Sequence, residues 1–237
     1  MKQTTPPLSA AQVASEVAES VQYQGRKASR QGSEQRRQAI LDAALRIIVR
    51  DGVRAVRHRA VAAEANVPLS ATTYYFKDIN DLITDTFALF VERSAEGLSA
   101  FWAGVDAQLQ AIALALQENP ARREQLLEQM VEMAVDYVRV QVTEHRERLL
   151  AEQAFRLEAL LNPGLLELAM AHRKILTQGV DRLFRVLGSP QPEEDAKVLT
   201  GMILQMEYQG LLEGGERLDV PAMRGTLRRY LQLVMGF

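Results

Sequence analysis

One short segment of the chain carries side chains whose types and spacing suit contact with duplex DNA. The hydroxyls of Ser70 and Thr72 can donate or accept hydrogen bonds at base edges, and the charge of Lys77 can approach a phosphate. Apolar neighbours can contact the methyl groups of thymines, and phenol hydroxyls can reach the sugar-phosphate backbone. The predicted DNA contacts are Arg57, Leu69, Ser70, Ala71, Thr72, Thr73, Tyr74, Tyr75 and Lys77.

Three aromatic residues follow one another at the end of this segment. Adjacent side chains cannot both face inward, so at least one of Tyr74 and Tyr75 is expected to contact the DNA. Phe76 is instead expected to belong to the hydrophobic core, because a large apolar side chain between two helices is usually buried.

The charge of the chain is unevenly distributed. A net charge of −2 hides eleven basic and four acidic residues between Arg26 and Lys77, a net of +7, so the remaining residues together carry −9. A basic module joined to an acidic one suggests a polyanion as the partner of the first. A basic, solvated helix face without any partner would produce the same count.

Patterns typical of catalysis and metal binding are missing from the sequence. The chain has no cysteine, which excludes disulfides, thiolate catalysis and cysteine-type zinc sites. The histidines His58, His145 and His172 lack the spacing of a metal site, and the pair Glu193-Glu194 is typical of a helix N-terminus. No glycine-rich loop follows a strand. The sequence therefore predicts no enzyme activity, no metal and no cofactor.

The composition is that of a globular protein, with 47% hydrophobic and 24% charged residues over 237 positions. No apolar run reaches the roughly 20 residues of a membrane-spanning helix, and the first residues lack the apolar core of a signal peptide. The absence of cysteine agrees with a reducing compartment. These features predict a cytoplasmic protein without membrane contact.

Three helices are predicted in the basic region. The first begins at Ser33, a good N-cap, and ends at Gly52. A second helix fits residues 58–65 and a third fits 69–76. Between them Asn66-Val67-Pro68 forms a tight turn, because Asn tolerates a left-handed backbone and Pro interrupts a helix. This spacing is typical of a helix-turn-helix.

Helical periodicity continues to the end of the chain, without the sustained alternation that would predict a strand. The first of these later helices is predicted from about Asp78 to Trp102, and Asp219 is expected to cap the last. The breaks between the helices fall at Asn119-Pro120, Asn162-Pro163-Gly164, Gly188-Ser189-Pro190 and Gly214-Gly215. The predicted fold class is all-α, with an N-terminal three-helix helix-turn-helix domain followed by a larger helical domain.

Three segments are predicted along the chain. Residues 1–32 are rich in Gln, Ser, Ala and Pro, which predicts a flexible basic arm with a short helix around Ala10–Ser20. Residues 33–78 form the helix-turn-helix domain, and residues 79–237 form the helical effector-binding and dimerisation domain.

Several of these residues together resemble a known family. The motifs follow one another in the order and spacing of the DNA-binding domain of TetR-family repressors, and the resemblance covers residues 33–82 without gaps. It implies a two-fold dimer with one amino-terminal helix-turn-helix per subunit, and a carboxy-terminal helical domain that binds a small effector and dimerises. The motifs are Arg37-x-x-Ile40-Leu41-x-Ala43-Ala44, Gly52, Val61-Ala62-x-x-Ala65-x-Val67 and Tyr74-Tyr75-Phe76-Lys77.

Three positions depart from the family pattern. Asn66 stands where the family usually has glycine, Thr73 where it usually has tyrosine, and Ile79 where a basic residue is common. Asn66 still permits the turn, but Thr73 and Ile79 each remove an expected phosphate contact. We hypothesise that Lys77 or the basic residues of the arm supply the missing contacts. Those arm residues are Arg26, Lys27 and Arg30.

Two sets of apolar residues in the carboxy-terminal half are candidates for effector binding and dimerisation, although each would fit a core equally well. The helices at about Leu165–Leu187 and Asp195–Gly214 resemble the pair that forms the dimeric four-helix bundle of the family, where Gly201 and Gly210 would allow close approach. The predicted effector-binding residues are Trp102, Met130, Met133 and Tyr137. The predicted dimer residues are Leu176, Val180, Leu183, Leu199, Met202 and Met206.

These features predict a dimeric TetR-like transcriptional regulator, with repression as the expected mode. It would bind pseudo-palindromic, double-stranded operator DNA and be released by a small-molecule effector. Two alternatives stay open. A helical protein–protein adaptor that has lost specific DNA binding is one, because Thr73 and Ile79 leave room for it. An α-helical enzyme that uses the pocket is the other, and the missing catalytic pattern disfavours it.

Overall fold

The computed structural model describes residues 23–25, 31–119 and 122–236. Every regular element within these ranges is helical, which confirms the predicted all-α class. The predicted short helix at Ala10–Ser20 lies outside the described residues. In chain order the helices are α1 (Gln31–Asp51), α2 (His58–Glu64), α3 (Leu69–Tyr75), α4 (Ile79–Glu118), α5 (Arg123–Glu144), α6 (Arg146–Leu161), α7 (Leu166–Val186), α8 (Pro192–Glu213) and α9 (Val220–Met235).

The chain divides into two compact units. The N-terminal unit contains the described part of Val13–Gly97 together with Leu150–Arg173. The C-terminal unit contains Leu98–Leu149 and Lys174–Phe237. Helices α4, α6 and α7 each contribute residues to both units. The predicted domain limits at residues 32 and 78 stay predictions.

Helices α1, α2 and α3 pack around one apolar core in the N-terminal unit. Ile40, Leu41 and Ile47 recur on one face of α1 and are buried. Val61 of α2 and Phe76, directly after α3, are buried as well, so the prediction of Phe76 as a core residue is confirmed. Burial of each such side chain contributes about 1.5–3 kcal/mol relative to leaving it exposed.

Helix α1 begins before its predicted N-cap and ends where expected. Ser33 lies inside the helix, so its predicted capping role is wrong. The cap preference of serine is a local tendency, and here the Ser33 hydroxyl shares a 2.8 Å hydrogen bond with the hydroxyl of Tyr75 instead. At the other end Gly52 has a φ of +82°, and its N–H donates to the carbonyl oxygen of Ile48 (2.9 Å).

Helix α4 is 40 residues long and continues well beyond its predicted end at Trp102. A helix stops where the backbone is interrupted, and the sequence after Trp102 contains no proline before Asn119-Pro120. Gly104 lies between them, but a single glycine costs only about 1 kcal/mol in a helix interior and does not end it. The apolar periodicity up to residue 102 therefore marked only part of the helix.

The other predicted breaks coincide with helix ends. Helix α6 ends at Leu161, α7 at Val186 and α8 at Glu213. Gly188 and Gly214, which follow two of these ends, have positive φ values of +76° and +82°. Their backbone conformation is one that glycine adopts without steric cost.

Helix α5 lies at the centre of the C-terminal unit, in contact with both α8 and α9. Leu127 and Val131 of α5 and Leu227 of α9 are fully buried. Asp219 caps α9 as predicted, because its Oδ1 accepts a hydrogen bond from the N–H of Ala222 (3.0 Å).

Candidate nucleic-acid interface and apolar cavity

A sharp turn separates α2 from α3. Asn66 has a φ of +52°, the left-handed conformation that the sequence predicts for this position. The N–H of Val67 donates to the carbonyl oxygen of Ala62 (3.0 Å) and closes α2, and Pro68 directly precedes α3. The two helices pack against each other, so they form a helix-turn-helix with α3 as the second helix.

The outward face of α3 carries most of the predicted DNA contacts. In a helix-turn-helix, the N-terminal residues of the second helix meet base edges when that helix enters the major groove. Tyr74 is 54% exposed, and Ala71 is half-buried. The exposed residues in and directly after the helix, which we call the α3 face, are Leu69, Ser70, Thr73, Tyr74 and Lys77.

Two of the predicted DNA contacts face the interior instead. Thr72 is 0% exposed, and its hydroxyl donates to the carbonyl oxygen of Leu69 (2.8 Å). Tyr75 is 5% exposed and is bonded to Ser33. The helical repeat places these two side chains on the side of α3 that packs against α1 and α2. Their predicted role is corrected to packing, and Tyr74 is the outward member of the tyrosine pair.

Part of the positive charge of the N-terminal unit is paired within it. Glu64 of α2 accepts hydrogen bonds from Arg46 (2.8 Å) and Arg50 (3.1 Å) of α1. These two bonds hold the pKa of Glu64 below its usual range. Arg93 forms an ion pair with Asp42 (2.6 Å). The charge available to a polyanion is therefore smaller than the count of basic residues suggests.

Five other basic side chains are exposed and form no ion pair with any described residue. Such groups can neutralise phosphates and release the cations condensed on DNA. Arg57, a predicted DNA contact, belongs to this set and directly precedes α2. The five are Arg36, Arg54, Arg57, Arg59 and Lys77.

A buried carboxylate holds residues 23–25 against the N-terminal unit. Asp85 of α4 is 0% exposed and accepts hydrogen bonds from the N–H groups of Gln24 (2.6 Å) and Gly25 (2.9 Å). Its Oδ2 also pairs with Nη2 of Arg37 from α1 (2.7 Å). A Cβ on Gly25 would lie 2.7 Å from Oδ2 of Asp85, so this close approach requires glycine. We call these contacts the Asp85 clamp.

Tyr23 belongs to the same cluster. The guanidinium of Arg37 lies 4.4 Å from the centroid of the Tyr23 ring, and the Tyr23 hydroxyl donates to Oε2 of Glu92 (2.6 Å). Burial and the bond to Glu92 raise the pKa of Tyr23 above its usual range. The sequence prediction of a flexible arm over residues 1–32 therefore missed an attachment at residues 23–25. The only sequence signal for it was an aromatic residue in an otherwise polar segment.

The C-terminal unit contains a partly open apolar cavity of about 110 Å³. Apolar cavities of about 150 Å³ bind a benzene molecule in other proteins, so the volume suits one aromatic ring. The four predicted effector-binding residues all line this cavity, although their binding role stays a prediction. They come from α4 and α5, and they are Trp102, Met130, Met133 and Tyr137.

Few polar groups face the cavity. Nε1 of Trp102 and the hydroxyl of Thr200 are buried and have no hydrogen-bond partner among the described residues. Glu207 of α8 also lines the wall and is 3% exposed. The sequence reasoning missed Thr200, Glu207 and the lining residue Phe101. The sequence signal that could have identified Glu207 was a carboxylate within the apolar run of α8.

Gly179 of α7 makes room for Trp102 in the cavity wall. A Cβ at position 179 would lie 1.9 Å from Nε1 of Trp102, far inside van der Waals contact. The indole therefore occupies the space that any larger residue at position 179 would need.

Most of the predicted dimer residues face the interior of their own chain. Met206 is buried and Met202 is half-buried. An amphipathic helix packs its most apolar stripe against its own unit. The remaining four line the cavity, and their role in a dimer stays a prediction; they are Leu176, Val180, Leu183 and Leu199.

A different stripe of α8 is exposed. Gly201 lies on it with open space above its backbone, whereas a Cβ on Gly210 would lie 2.7 Å from Cγ2 of Val142 in the same chain. Gly210 therefore serves packing within the unit. The stripe repeats at alternating steps of three and four residues, which is the spacing of a helix–helix seam. Its members are Val198, Gly201, Gln205, Tyr208 and Leu212, and we call it the α8 stripe.

Within the described ranges, no cluster of three or more His, Asp or Glu side chains could hold a metal ion. The helices described here are also too short or too polar for any of them to span a lipid bilayer.

Two family models match the chain. Residues 40–86 match the model of bacterial regulatory proteins of the tetR family. Residues 121–233 match the model of the tetracyclin repressor-like C-terminal domain. Together these matches cover α2 and α3 and most of the C-terminal unit. No sequence match was found among curated proteins.

Solved structures resemble most of the chain. A member of the TetR family from Streptomyces coelicolor A3 is 27% identical with a TM-score of 0.54, and the alignment covers 82% of this chain and 97% of that one. The multidrug binding protein EbrR in complex with proflavin is 25% identical with a TM-score of 0.50, covering 82% and 99%. A transcriptional regulator from Rhodococcus sp. Rha1 shares the fold at 16% identity, with a TM-score of 0.59 and coverage of 84% and 96%.

Proposed function

Given that the chain belongs to the TetR family of ligand-responsive, DNA-binding transcriptional regulators, we propose that it is a repressor which a small molecule releases from its operator. The observation that carries this proposal is the α3 face, which presents hydroxyls, a phenol and an ammonium group outward beyond the turn at Asn66. A helix with these groups can enter a major groove.

Individual roles on the α3 face follow from chemistry. Ser70 and Thr73 can hydrogen-bond to base edges, and Leu69 and the half-buried Ala71 can contact thymine methyls. The Tyr74 hydroxyl and the charges of Arg57 and Lys77 suit phosphates, which set affinity and register rather than sequence preference. Neighbouring exposed arginines add positive charge, and its contribution to DNA affinity falls as the salt concentration rises.

A two-fold operator requires a homodimer. Two copies of α3 must lie about 34 Å apart to reach successive major grooves on one side of the duplex. The α8 stripe supports such a dimer, because apart from Gln205 its exposed residues are apolar or small at seam spacing, and Gly201 permits close approach. Tyr208 and Leu212 would then be buried by the partner subunit instead of facing water.

The cavity of the C-terminal unit is the proposed effector site. It is concave, mostly apolar and lined by a few polar groups, as ligand sites usually are. The similar protein EbrR has been solved with proflavin and with ethidium. Release follows if the ligand has a higher affinity for a conformation that binds operator DNA weakly. On this proposal the ligand is bound and not converted, and the protein acts in the cytoplasm, where the chromosome lies.

The basic arm is proposed to contact DNA from a fixed starting point. Residues 23–25 are held by the Asp85 clamp, and Arg26, Lys27 and Arg30 follow in the sequence, outside the described residues. A variant lacking residues 1–22 keeps the clamp and these charges, so its DNA affinity should stay near that of the full chain. Removal of residues 1–32 should weaken binding and flatten its salt dependence. Equal salt slopes for all three proteins would refute the role of the arm.

Footprinting on the DNA upstream of its own gene tests the main proposal. The full-length protein should protect a two-fold symmetric site, with an affinity that falls steeply as salt rises. Ligands found by thermal shift should release the DNA and be recovered unchanged. Protection without symmetry would refute the dimer, absence of any footprint would favour the adaptor alternative, and conversion of the ligand would favour an enzyme.

A further inference from the structure

One hydroxyl in the wall of the cavity lacks the hydrogen bond that a threonine often makes within a helix. Thr86, Thr143 and Thr226 each donate to the carbonyl oxygen four residues earlier in their own helix, at 2.7, 2.9 and 2.9 Å. Oγ1 of Thr200 on α8 is instead buried without a hydrogen-bond partner among the described residues. The Thr200 side chain is 8% exposed and lines the cavity. It therefore brings an unpaired donor to the border of a mostly apolar space.

The other polar groups of the wall differ in whether they are paired. Tyr137 and Glu207 each already take part in an interaction within the chain. Nε1 of Trp102, which can only donate, is buried next to Gly179 without a partner among the described residues. The two unpaired groups, on Trp102 and Thr200, can therefore both donate. Buried donors without a partner are rarer in native proteins than under-satisfied acceptors, so the group that would complete this wall is an acceptor.

Charge and ring packing restrict the kind of acceptor further. Among the described residues that line the cavity, none is a lysine, arginine or histidine. An anionic acceptor would enter without an opposite charge, and burial of an unpaired charge is far less favourable than burial of a neutral polar group. The ring of Phe101 lies 5.2 Å from that of Trp102 and 4.8 Å from that of Tyr137, measured between centroids. Aromatic rings at these distances suit contact with a further ring.

We propose that the effector of this protein is an apolar ring compound that carries a neutral hydrogen-bond acceptor, such as the oxygen of a ketone, an ester or an ether. The Thr200 hydroxyl donates to this oxygen, and Phe101, Trp102 and Tyr137 contact the ring. The volume of about 110 Å³ sets the size of the buried part at one ring with a small substituent. This inference rests on the proposed effector site and adds the chemical class of its ligand.

Three small probes of similar size test the need for a neutral acceptor. Acetophenone carries a carbonyl oxygen, α-methylstyrene has a methylene group in its place, and benzoate is an anionic acceptor. Their affinities for the full-length protein are measured by equilibrium dialysis. For the two neutral probes, each affinity is divided by the partition coefficient from water into cyclohexane, which removes the difference in hydration. The normalised affinity of acetophenone should exceed that of α-methylstyrene by at least about fivefold, and benzoate should bind weakest.

Variants assign the preference to one hydroxyl. Thr200→Val preserves the shape of the side chain and should weaken acetophenone binding about fivefold while leaving the affinity for α-methylstyrene within about twofold. Thr200→Ser keeps a hydroxyl and should keep the preference. Thr226→Val is the matched control, because this exposed threonine already donates within α9. Equal normalised affinities in the unaltered protein, tighter binding of benzoate than of acetophenone, or a preference that persists in Thr200→Val would each overturn the proposal.

The stability of the ligand-free protein provides an independent check. Thr200→Val replaces a buried hydroxyl that has no partner, so its Tm should equal or exceed that of the unaltered protein. A clear fall in Tm, or failure of the variant to fold, would show that the hydroxyl is bonded within the chain. Either result would overturn the proposal, because no unpaired donor would then be present for a ligand.

A cavity-filling variant separates this inference from the proposed function. Ala134 lines the cavity, and Ala134→Phe should block the binding of acetophenone and α-methylstyrene alike. If both probes bind the unaltered protein with equal normalised affinity, are blocked by this variant and release operator DNA, the effector site stands and the acceptor class is refuted. If neither probe binds the unaltered protein, or if Ala134→Phe changes neither affinity, the acceptor class is refuted together with the effector site.

Discussion

The α3 face and the cavity of the C-terminal unit differ in the polarity of their side chains. The α3 face presents hydroxyl, phenol and ammonium groups to solvent, whereas the cavity wall is apolar and aromatic with the single carboxylate of Glu207. On the proposed function, the first site meets a polyanion in water, so its contribution is weakened by salt and spread over several contacts. The second is lined mainly by apolar side chains, so the shape and packing of its wall matter more for contact with a ligand than charge does.

The interactions that hold the two sites in place differ as well. The α3 face depends on a buried ionic cluster, the Asp85 clamp, next to Phe76. The cavity depends on close packing, as between Gly179 and Trp102.

The largest effect is expected from Arg37→Ala. This change leaves the carboxylate of Asp85 buried without its cationic partner, and removal of one member of a buried ion pair costs about 3–5 kcal/mol. The free energy of unfolding, measured by urea denaturation, should fall by this amount. Arg36→Ala removes an exposed neighbour and should change it little. Equal stability of the two variants would mean that the clamp does not support the N-terminal unit.

A smaller loss is expected from Gly179→Ala in the C-terminal unit. The added methyl group overlaps the indole of Trp102, and overpacking of this kind costs about 1–3 kcal/mol. The fluorescence spectrum of Trp102 should shift, because the ring must move. Gly225→Ala is the control, since its Cβ meets open space in α9 and should add about 0.5–1 kcal/mol. An unchanged spectrum in the Gly179 variant would contradict the described contact.

Lys77→Ala tests the α3 face and should leave stability unchanged. Loss of one phosphate contact should weaken binding to all DNA sequences about equally and lower the slope of log K against log salt by about 1. Lys197→Ala removes a lysine of the C-terminal unit and should leave the slope as it was. A change in base preference in the Lys77 variant would show that this side chain contacts bases. Ser70→Ala, by contrast, should alter base preference with little effect on the slope.

The smallest effect concerns the pH dependence of Glu64. Its pKa is lowered in the folded protein by hydrogen bonds from Arg46 and Arg50, so the folded state favours the ionised form. The resulting stabilisation is present above the ordinary pKa of glutamate and is lost as the pH falls through the lowered value. The Tm difference between the unaltered protein and Glu64→Gln should therefore be small at pH 7 and vanish at lower pH. A difference that is constant with pH would contradict the pairing.

Several features could be predicted because they depend on a few neighbouring residues. Asn66 and Pro68 marked the turn, Gly52 and Asp219 marked helix ends, and all of these are confirmed. The predicted N-cap at Ser33 failed because α1 begins at Gln31, and the Ser33 hydroxyl shares a hydrogen bond with Tyr75, 42 positions away. Local preferences are small, and a tertiary contact can override them.

The predicted dimer residues show a related limit of sequence patterns. Periodicity predicted that Val180 and Leu199 would be buried, but it contains no information on whether the covering surface comes from the same chain or a second one. The α8 stripe is a second example, in which periodicity failed to identify an exposed surface. Its residues are only moderately apolar, so periodicity did not distinguish them until the burial of the rest of the helix was known.

By itself the sequence determined the all-α class, the helix-turn-helix and the basic character of the DNA-binding region, since helical periodicity, turn chemistry and charge are properties of consecutive residues. Only the tertiary structure decided that Thr72 and Tyr75 face inward, that Asp85 holds residues 23–25, and that Glu207 shares a cavity with aromatic rings from other helices. These contacts join residues about 40 to 100 positions apart, and such pairings follow from the packing of whole helices rather than from any local preference.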